Sequence, residues 1–348
     1  MSVPRLAVVV VSYNTCSLTR ACLSATFASL VLSPELEATV WVVDNASTDG
    51  SPGMVAAEFP QVRLINSPVN RGFAGGNNLA LQALGFLAQT GGGTVDGISA
   101  GGSPASGPPV QTPDLVMLLN SDAEPLGDAI GQMARFLLAH PAAGGAGARL
   151  RYPDGRFQHG AFRFPGVFQL WFDLFTPRPR RLLESRLNGR YARAAYDSGR
   201  PFAVDFVLGA ALMARREAIQ AAGLLDEGYF MYAEEVDWCW RMQRAGWNFH
   251  CVPAALVIHH AGASTQQFRA RSMLDLWRSR QRLYARFYGP ARRWLSSKIV
   301  RLGMAVEVRR TRAAHGRGAI SAAEADQRCS AARQVAEIFR SRVQGEVK

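Results

Sequence analysis

Along the first third of the chain, short continuous apolar runs alternate with stretches of helical periodicity. Leu6-Ala-Val-Val-Val-Val-Ser12 is rich in β-branched residues and lacks polar alternation, the pattern of a parallel strand buried on both faces. Thr39-Val-Trp-Val-Val-Asp44, Val62-Arg-Leu-Ile-Asn66 and Asp114-Leu-Val-Met-Leu-Leu-Asn120 repeat it, and helices are predicted over residues 18–30, 52–59 (with Ser51 as N-cap) and 77–88. Strand and helix in alternation predict a doubly wound α/β domain. Each strand runs into a polar cluster: Ser12-Tyr13-Asn14, Asp44 with the turn that follows it, Asn66, and Asn120-Ser121-Asp122. Ligands of open parallel sheets bind beyond the carboxyl ends of the strands, so these clusters mark one rim.

Residues 90–113 are dominated by Gly, Ser and Pro with almost no charge and are expected to form a flexible surface insertion. Beyond Asp122 the pattern becomes an α+β mixture, with a helix near 128–140, strand-like segments at 147–152 and 205–214, and helices over 216–222 and 234–245. From residue 266 the chain reads as helical. Leu274, Trp277, Gln281, Tyr284 and Tyr288 share one face, followed by Leu295, Ile299, Leu302 and Val306 on the next.

The composition, 348 residues with 48% hydrophobic and 19% charged, excludes wholesale disorder. Cys16, Cys22, Cys239, Cys251 and Cys329 are scattered without a Cys-x-x-Cys pair, which argues against a disulfide framework or zinc ribbon and for a reducing cytosol. No stretch approaches the about 18 apolar residues of a membrane span, and no cleavage site follows the first apolar run, so neither export nor membrane crossing is expected. The net charge of +12 is uneven: residues 266–348 hold 19 Lys and Arg against 6 Asp and Glu, and residues 1–265 hold 20 against 21. A near-neutral body with a basic tail suits an anionic partner surface, either membrane lipid or nucleic acid.

Four segments carry candidate chemistry. Asp44-Asn-Ala-Ser-Thr-Asp-Gly-Ser51 has turn composition, but a carboxylate ending a second parallel strand is where α/β nucleotide sites hold a base or ribose. Asn70-Arg71-Gly72-Phe73-Ala74-Gly75-Gly76-Asn77-Asn78 is a glycine-rich loop opening a helix, without the spacing or position of a dinucleotide fingerprint. Its backbone amides beside Arg71 suit an anionic or hydroxylated ligand. Asn120-Ser121-Asp122-Ala123-Glu124 places two carboxylates after a buried strand, the donor type that Mg²⁺ takes together with substrate phosphates. Glu234-Glu235-Val-Asp237 opens a helix; dipole matching accounts for acids there, yet the aromatic surroundings would desolvate them and raise their basicity. His259-His260 reads equally as core histidines or as one metal ligand and a neighbour.

Taken in order, Val8-Val-Val-Val-Ser-Tyr-Asn14, Val43-Asp-Asn-Ala-Ser-Thr-Asp-Gly-Ser51, Asn70-Arg-Gly-Phe-Ala-Gly-Gly-Asn-Asn78, Leu118-Leu-Asn-Ser-Asp122, Gly209-Ala-Ala-Leu-Met-Ala-Arg-Arg216 and Phe230-Met-Tyr-Ala-Glu-Glu-Val-Asp237 resemble the inverting nucleotide-sugar glycosyltransferases of family 2, a GT-A-fold group that includes many bacterial rhamnosyltransferases. The resemblance covers roughly residues 5–265. It implies a GT-A-type doubly wound mixed sheet with a basic helical C-terminal extension. Residues 1–125 would form the nucleotide-sugar-binding part, 126–265 the acceptor-binding and catalytic part, and 266–348 the tail. Ser12, Asn14, Asp44, Asn70, Arg71, Gly72, Gly75, Asn77 and Asp122 would contact the donor. Asp122 and Glu124, a DxD-like pair, would hold Mg²⁺ or Mn²⁺ with His259. Glu235 falls where the family places its base, with Glu234 and Asp237 as alternatives, because the acidic pair usually reads Glu-Asp.

The implied reaction moves a hexose, rhamnose among the candidates, from a nucleotide diphosphate sugar to a hydroxyl of a glycan or polyprenyl-linked acceptor in cell-surface polysaccharide synthesis. The tail would rest on an anionic membrane, placing the protein in the cytoplasm or peripherally on the inner membrane face; no nucleic acid partner is expected. A sugar-phosphate nucleotidyltransferase would normally carry a basic, glycine-rich loop after the first strand, where Ser12-Tyr-Asn-Thr-Cys-Ser-Leu18 has neither feature. A nucleic-acid-binding protein is favoured by the tail alone.

Overall fold

The computed structural model of the chain describes residues 3–87, 112–261 and 269–340. Its strands are β1 (Arg5–Ser12), β2 (Glu37–Asp44), β3 (Arg63–Asn66), β4 (Leu115–Asn120), β5 (Ala123–Leu126), β6 (Ala143–Arg151), β7 (Phe157–Gln158), β8 (Ala161–Phe162), β9 (Phe202–Val204), β10 (Phe206–Val207), β11 (Ala211–Arg215) and β12 (Asn248–His259). The main sheet runs β3-β2-β1-β4-β11-β6-β12-β5, with β7 on β6 and β9 on β12. The first four are parallel, β11 is antiparallel to both its neighbours, and β5 is antiparallel to β12. Val8, Val9 and Val10 of β1 and Leu115–Leu119 of β4 are buried, as apolar runs sandwiched between helices must be. Register aligns the polar ends: Ser12 lies opposite Asp44, Asp44 opposite Asn66, and Val11 opposite Asn120. The sheet crosses the expected boundary near residue 125 without interruption.

Several elements differ from expectation. The glycine-rich segment lies inside a helix, Gly72–Ala83, that starts five residues before the predicted one. Asn45 Oδ1 accepts from Arg71 N (2.9 Å) and Asn70 Oδ1 from Gly72 N (2.9 Å), and Gly85 in the left-handed region (φ 86°) closes the other end. Ser51 is the first helical residue rather than the cap; the Asp49 carboxylate accepts from its N (3.0 Å) and Oγ (2.5 Å). The segment expected as one strand over 205–214 splits: β10 pairs with β8 in a separate two-stranded sheet, and β11 joins the main one. Residues 208–210 between them bond Gly160 O through Leu208 N and Asn120 N through Ala210 O. The expected insertion lies outside the described residues except for 112 and 113.

The tail forms helices Arg269–Phe287, Pro290–Gly316 and Ala322–Ile338. Trp277, Tyr284 and Tyr288 are buried in the same apolar cluster as Trp238 and Phe249 of the body. The second predicted face holds only in part: Ile299 is buried and Val306 half-buried, but Leu295 and Leu302 are exposed, and Val300, Gly303 and Met304 are buried in their place, because the helix presents that side to its neighbours.

Candidate active site

A cavity of about 340 Å³ opens beyond the aligned strand ends. Tyr13, Asn45, Asn70, Gly72, Phe73, Asn120, Ser121 and Asp122 line it from the rim, and Leu208, Gly209, Ala210, Phe230–Tyr232, Glu234, Glu235, His259 and Asp275 from the other side. Asn45 organises the rim. Its amide donates to Asn70 Oδ1 (3.0 Å) and Gly72 O (2.9 Å) while its oxygen accepts from Arg71 N. Gly72 has φ 70°, and a Cβ there would strike the Phe230 carbonyl, so only glycine lets the donor-side loop touch the segment before the acidic helix. Phe73 N donates to that same carbonyl (2.9 Å).

Where the sequence led us to expect a metal, His259 Nε2 lies 3.4 Å from Asp122 Oδ1 and 3.4 Å from Asn120 Nδ2. Its Nδ1 meets the Gln158 amide nitrogen at 3.1 Å. Antiparallel pairing of β5 with β12 explains the meeting, since His259 lies opposite Ala123, next to Asp122. Glu124 is not brought to this pair: it bonds His260 Nε2 at 2.7 Å and is absent from the cavity wall. Among the described residues no group of three or more His, Cys, Asp and Glu gathers as a ready-made metal site.

Opposite stand Glu234 and Glu235 at the start of the helix Glu234–Arg244. Both are buried, and each has a side-chain oxygen, Oε2, with no protein partner. Burial lifts the Glu235 carboxyl from 4.5 to about 7. Burial, and then the neighbouring Glu235 charge, push Glu234 up as well. Tyr232 and Ala233, immediately before, both hold φ near 70° (71° and 67°), a strained turn costing about 1–3 kcal/mol per residue that turns the helix start toward the cavity. Asp237 differs in kind. Fully buried, it pairs with Arg241 (2.6 Å) and Arg286 (3.0 Å) and is absent from the cavity wall.

Other expected donor residues are engaged in the scaffold in part or lie off the cavity wall. Ser12 Oγ joins a buried hydroxyl cluster with Thr15 and Thr19, and Asn14 Oδ1 accepts from Thr48 N (2.7 Å), leaving Tyr13 to face the cavity. Asp44 is buried with Oδ2 accepting from Ser47 N (2.9 Å) and Oδ1 unpartnered. Arg71, Gly75 and Asn77 lie outside the cavity wall, Asn77 donating to Phe73 O (2.9 Å).

A second cavity of about 220 Å³ shares Leu208, Tyr232 and Glu235 with the first. Its wall is largely apolar, with Gln169, Asp173 and Arg280 as polar points. The tail therefore supplies both cavities, through Asp275 to the first and Leu276, Arg280, Leu283 and Tyr284 to the second. Sequence reading missed these residues, together with Asn45 and Gln158. Asn45 lies in the polar turn of residues 44–51, which is a signal that could have found it; nothing in Gln158 or Asp275 marks them without the fold.

Residues 7–84 match the family model described as Glycosyl transferase family 2. The N-acetylglucosaminyl-diphospho-decaprenol L-rhamnosyltransferase of Mycobacterium tuberculosis is 32% identical over 243 residues, which cover 68% of this chain and 71% of that protein. The chain belongs to glycosyl transferase family 2. It is accordingly an inverting glycosyltransferase. Rhamnosyltransferase WbbL of Escherichia coli is 35% identical over 69 residues, 20% of this chain and 26% of that protein. The mannosyltransferase PcManGT from Pyrobaculum calidifontis, solved with GDP-Man and Mn²⁺, shares the GT-A fold of the family 2 chain at 16% identity and TM-score 0.53, covering 98% of this chain and 87% of that one.

Proposed function

We propose that the protein transfers an L-rhamnosyl or similar hexosyl group from a nucleotide diphosphate sugar to a hydroxyl of a polyprenyl-diphosphate-linked sugar, with Glu235 as the general base. The carrying observation is the pair of buried carboxylates with unpartnered oxygens, Glu234 and Glu235, in the same cavity as Asp122 and His259. The donor reading rests on the rim of Asn45, Asn70, Gly72 and Asp122; the acceptor reading rests on the name of the mycobacterial relative and on the apolar second cavity reaching Glu235.

The residues present fit a divalent cation: a carboxylate and an imidazole face each other, and Mg²⁺ and Mn²⁺ characteristically complete their shell with phosphate oxygens and water. With the Gln158 amide turned so that Oε1, unpartnered and buried, accepts from Nδ1–H, His259 presents an unprotonated Nε2 toward Asp122. Such an ion would neutralise charge on the departing nucleoside diphosphate. Glu235 takes the proton of the attacking hydroxyl, for which its elevated pKa is suited. Glu234, raised by the same burial and by the adjacent Glu235 charge, titrates together with it, so that the pair resists carrying two charges at once. The acceptor enters through the second cavity, and one in-line displacement inverts the anomeric centre.

A lipid-linked acceptor would put the working enzyme peripherally on the inner membrane face; among the described residues no helix is long and apolar enough to cross a membrane. The test is a panel of UDP-, dTDP- and GDP-sugars offered with a short-chain lipid diphosphate N-acetylglucosamine, with and without Mg²⁺ or Mn²⁺. Full activity in EDTA would remove the metal from the account, and no turnover of any donor would remove the reaction.

A further inference from the structure

We propose that the helices Val167–Leu174 and Pro290–Gly316 together form a docking face for an anionic lipid bilayer. The proposal rests on the reading that the acceptor is lipid-linked, and it assigns the surface that brings the enzyme to it. Sequence periodicity pointed to Trp277, Tyr284 and Tyr288, but these are 5% exposed or less and belong to the core. Among the described residues the exposed Phe and Trp side chains are Phe168 (62%), Trp171 (41%) and Trp294 (64%), and all three sit on this helix pair.

The two helices are joined along their length. At one end Arg292 and Tyr288 donate to the Pro165 carbonyl, and at the other Leu174 packs on Gly303, where a Cβ would come within 2.8 Å of it. The longer helix carries seven Lys and Arg residues against one acid, Glu307. At helical spacing Trp294, Lys298, Arg301, Leu302, Arg309 and Arg312 share one side, and Leu302 is half exposed. Exposed aromatic and aliphatic groups interleaved with cations are the composition of an interfacial helix, whose rings enter the headgroup boundary while Lys and Arg meet anionic lipid.

Position gives the face its use. Gln169, Leu170 and Asp173, on the same short helix as Phe168 and Trp171, line the second cavity, which continues to Glu235. A bilayer held against this helix lies beside the entrance through which a lipid-anchored sugar would reach the base.

The test is cosedimentation of the full chain with vesicles of phosphatidylcholine alone or mixed equally with phosphatidylglycerol, at physiological salt. The protein should sediment with the mixed vesicles and little with phosphatidylcholine. The variant Phe168→Glu/Trp171→Glu/Trp294→Glu, altered only at exposed positions, should lose about tenfold or more in partition while its melting temperature and nucleotide-sugar binding stay unchanged. Undiminished vesicle binding by this variant overturns the proposal, as does absence of binding by the parent protein. Loss of binding only on Lys298→Glu/Arg301→Glu, with equal affinity for RNA, would assign the basic side to polyanions in general and also overturn it. Dimerisation abolished by the triple variant without vesicle binding would give the face to a second copy. A protein that binds vesicles yet transfers no sugar keeps the face and loses the functional reading; one that glycosylates a water-soluble acceptor and ignores vesicles does the reverse.

Discussion

Replacing Glu235 with Gln should stabilise the enzyme at alkaline pH while disabling it. The side chain is buried, and burial lifts its carboxyl from 4.5 to about 7. The sign follows from linkage: a folded-state pKa above the unfolded one means that the folded state binds the proton more tightly, so stability is fullest below pH 4.5 and is lost as pH rises through about 7. At about 1.4 kcal/mol per pH unit between the two values, the ionised Glu235 costs the folded state about 3 kcal/mol at pH 8. Glutamine keeps the shape and never ionises, so the variant escapes that cost. Thermal unfolding of both proteins at pH 4 and pH 8 reads the difference: near-equal melting temperatures at pH 4, and a variant more stable by about 5 °C at pH 8. Transfer should fall by at least about 10²-fold, with donor binding retained, and the parent's kcat/KM should climb through pH 7 as the base ionises. A variant no more stable at pH 8 than at pH 4, relative to the parent, would refute the claim that Glu235 is held as a desolvated, uncompensated acid.

The other acids should behave differently. Asp237→Asn removes the buried charge that pairs with the half-buried Arg241 and with Arg286 and should lower stability by about 1–3 kcal/mol, read by urea unfolding; a folded, fully stable Asp237→Asn that has lost transfer, beside an active Glu235→Gln, would move the base to Asp237. Asp122→Ala should abolish Mn²⁺-dependent donor binding by calorimetry while the protein still unfolds in one cooperative thermal transition; retained Mn²⁺-dependent binding would remove Asp122 from the donor site. Gly72→Ala forces both a positive φ and a clash with the Phe230 carbonyl. It should lower stability by more than about 1 kcal/mol and weaken donor affinity, and unchanged affinity would show that the two cavity walls are not coupled there.

The parallel half of the fold was legible because its signal is local. Leu6-Ala-Val-Val-Val-Val-Ser12 and its repeats can only be doubly buried strands, and their polar ends had to fall on one rim. Glu234 and Glu235 were legible for the same reason, as acids embedded among aromatics at a helix start. What failed was what tertiary contacts decide. The glycine-rich stretch reads as a loop by propensity, yet Asn45, reaching from outside it, and its own first residue Asn70 hold its start in helical form. Asp237 has the same sequence credentials as Glu235; Arg241 one turn on and Arg286, 49 residues on, together make it structural. The Asp122-x-Glu124 spacing promised a joint metal pair, but the β5–β12 register hands Glu124 to His260 and Asp122 to His259. Periodicity located an apolar stripe in each tail helix without saying which stripe meets the body, and so misjudged Leu295 and Leu302.

The central claim, inverting transfer with Glu235 as base, meets its most direct test in the product. With a nucleotide-diphospho-L-rhamnose donor, a short-chain lipid diphosphate N-acetylglucosamine and Mg²⁺, the parent protein should form a single glycoside whose anomeric coupling in NMR shows the configuration opposite to the donor's. Glu235→Gln should bind the same donor and form almost none. A product of retained configuration, or full turnover by Glu235→Gln, would contradict the account.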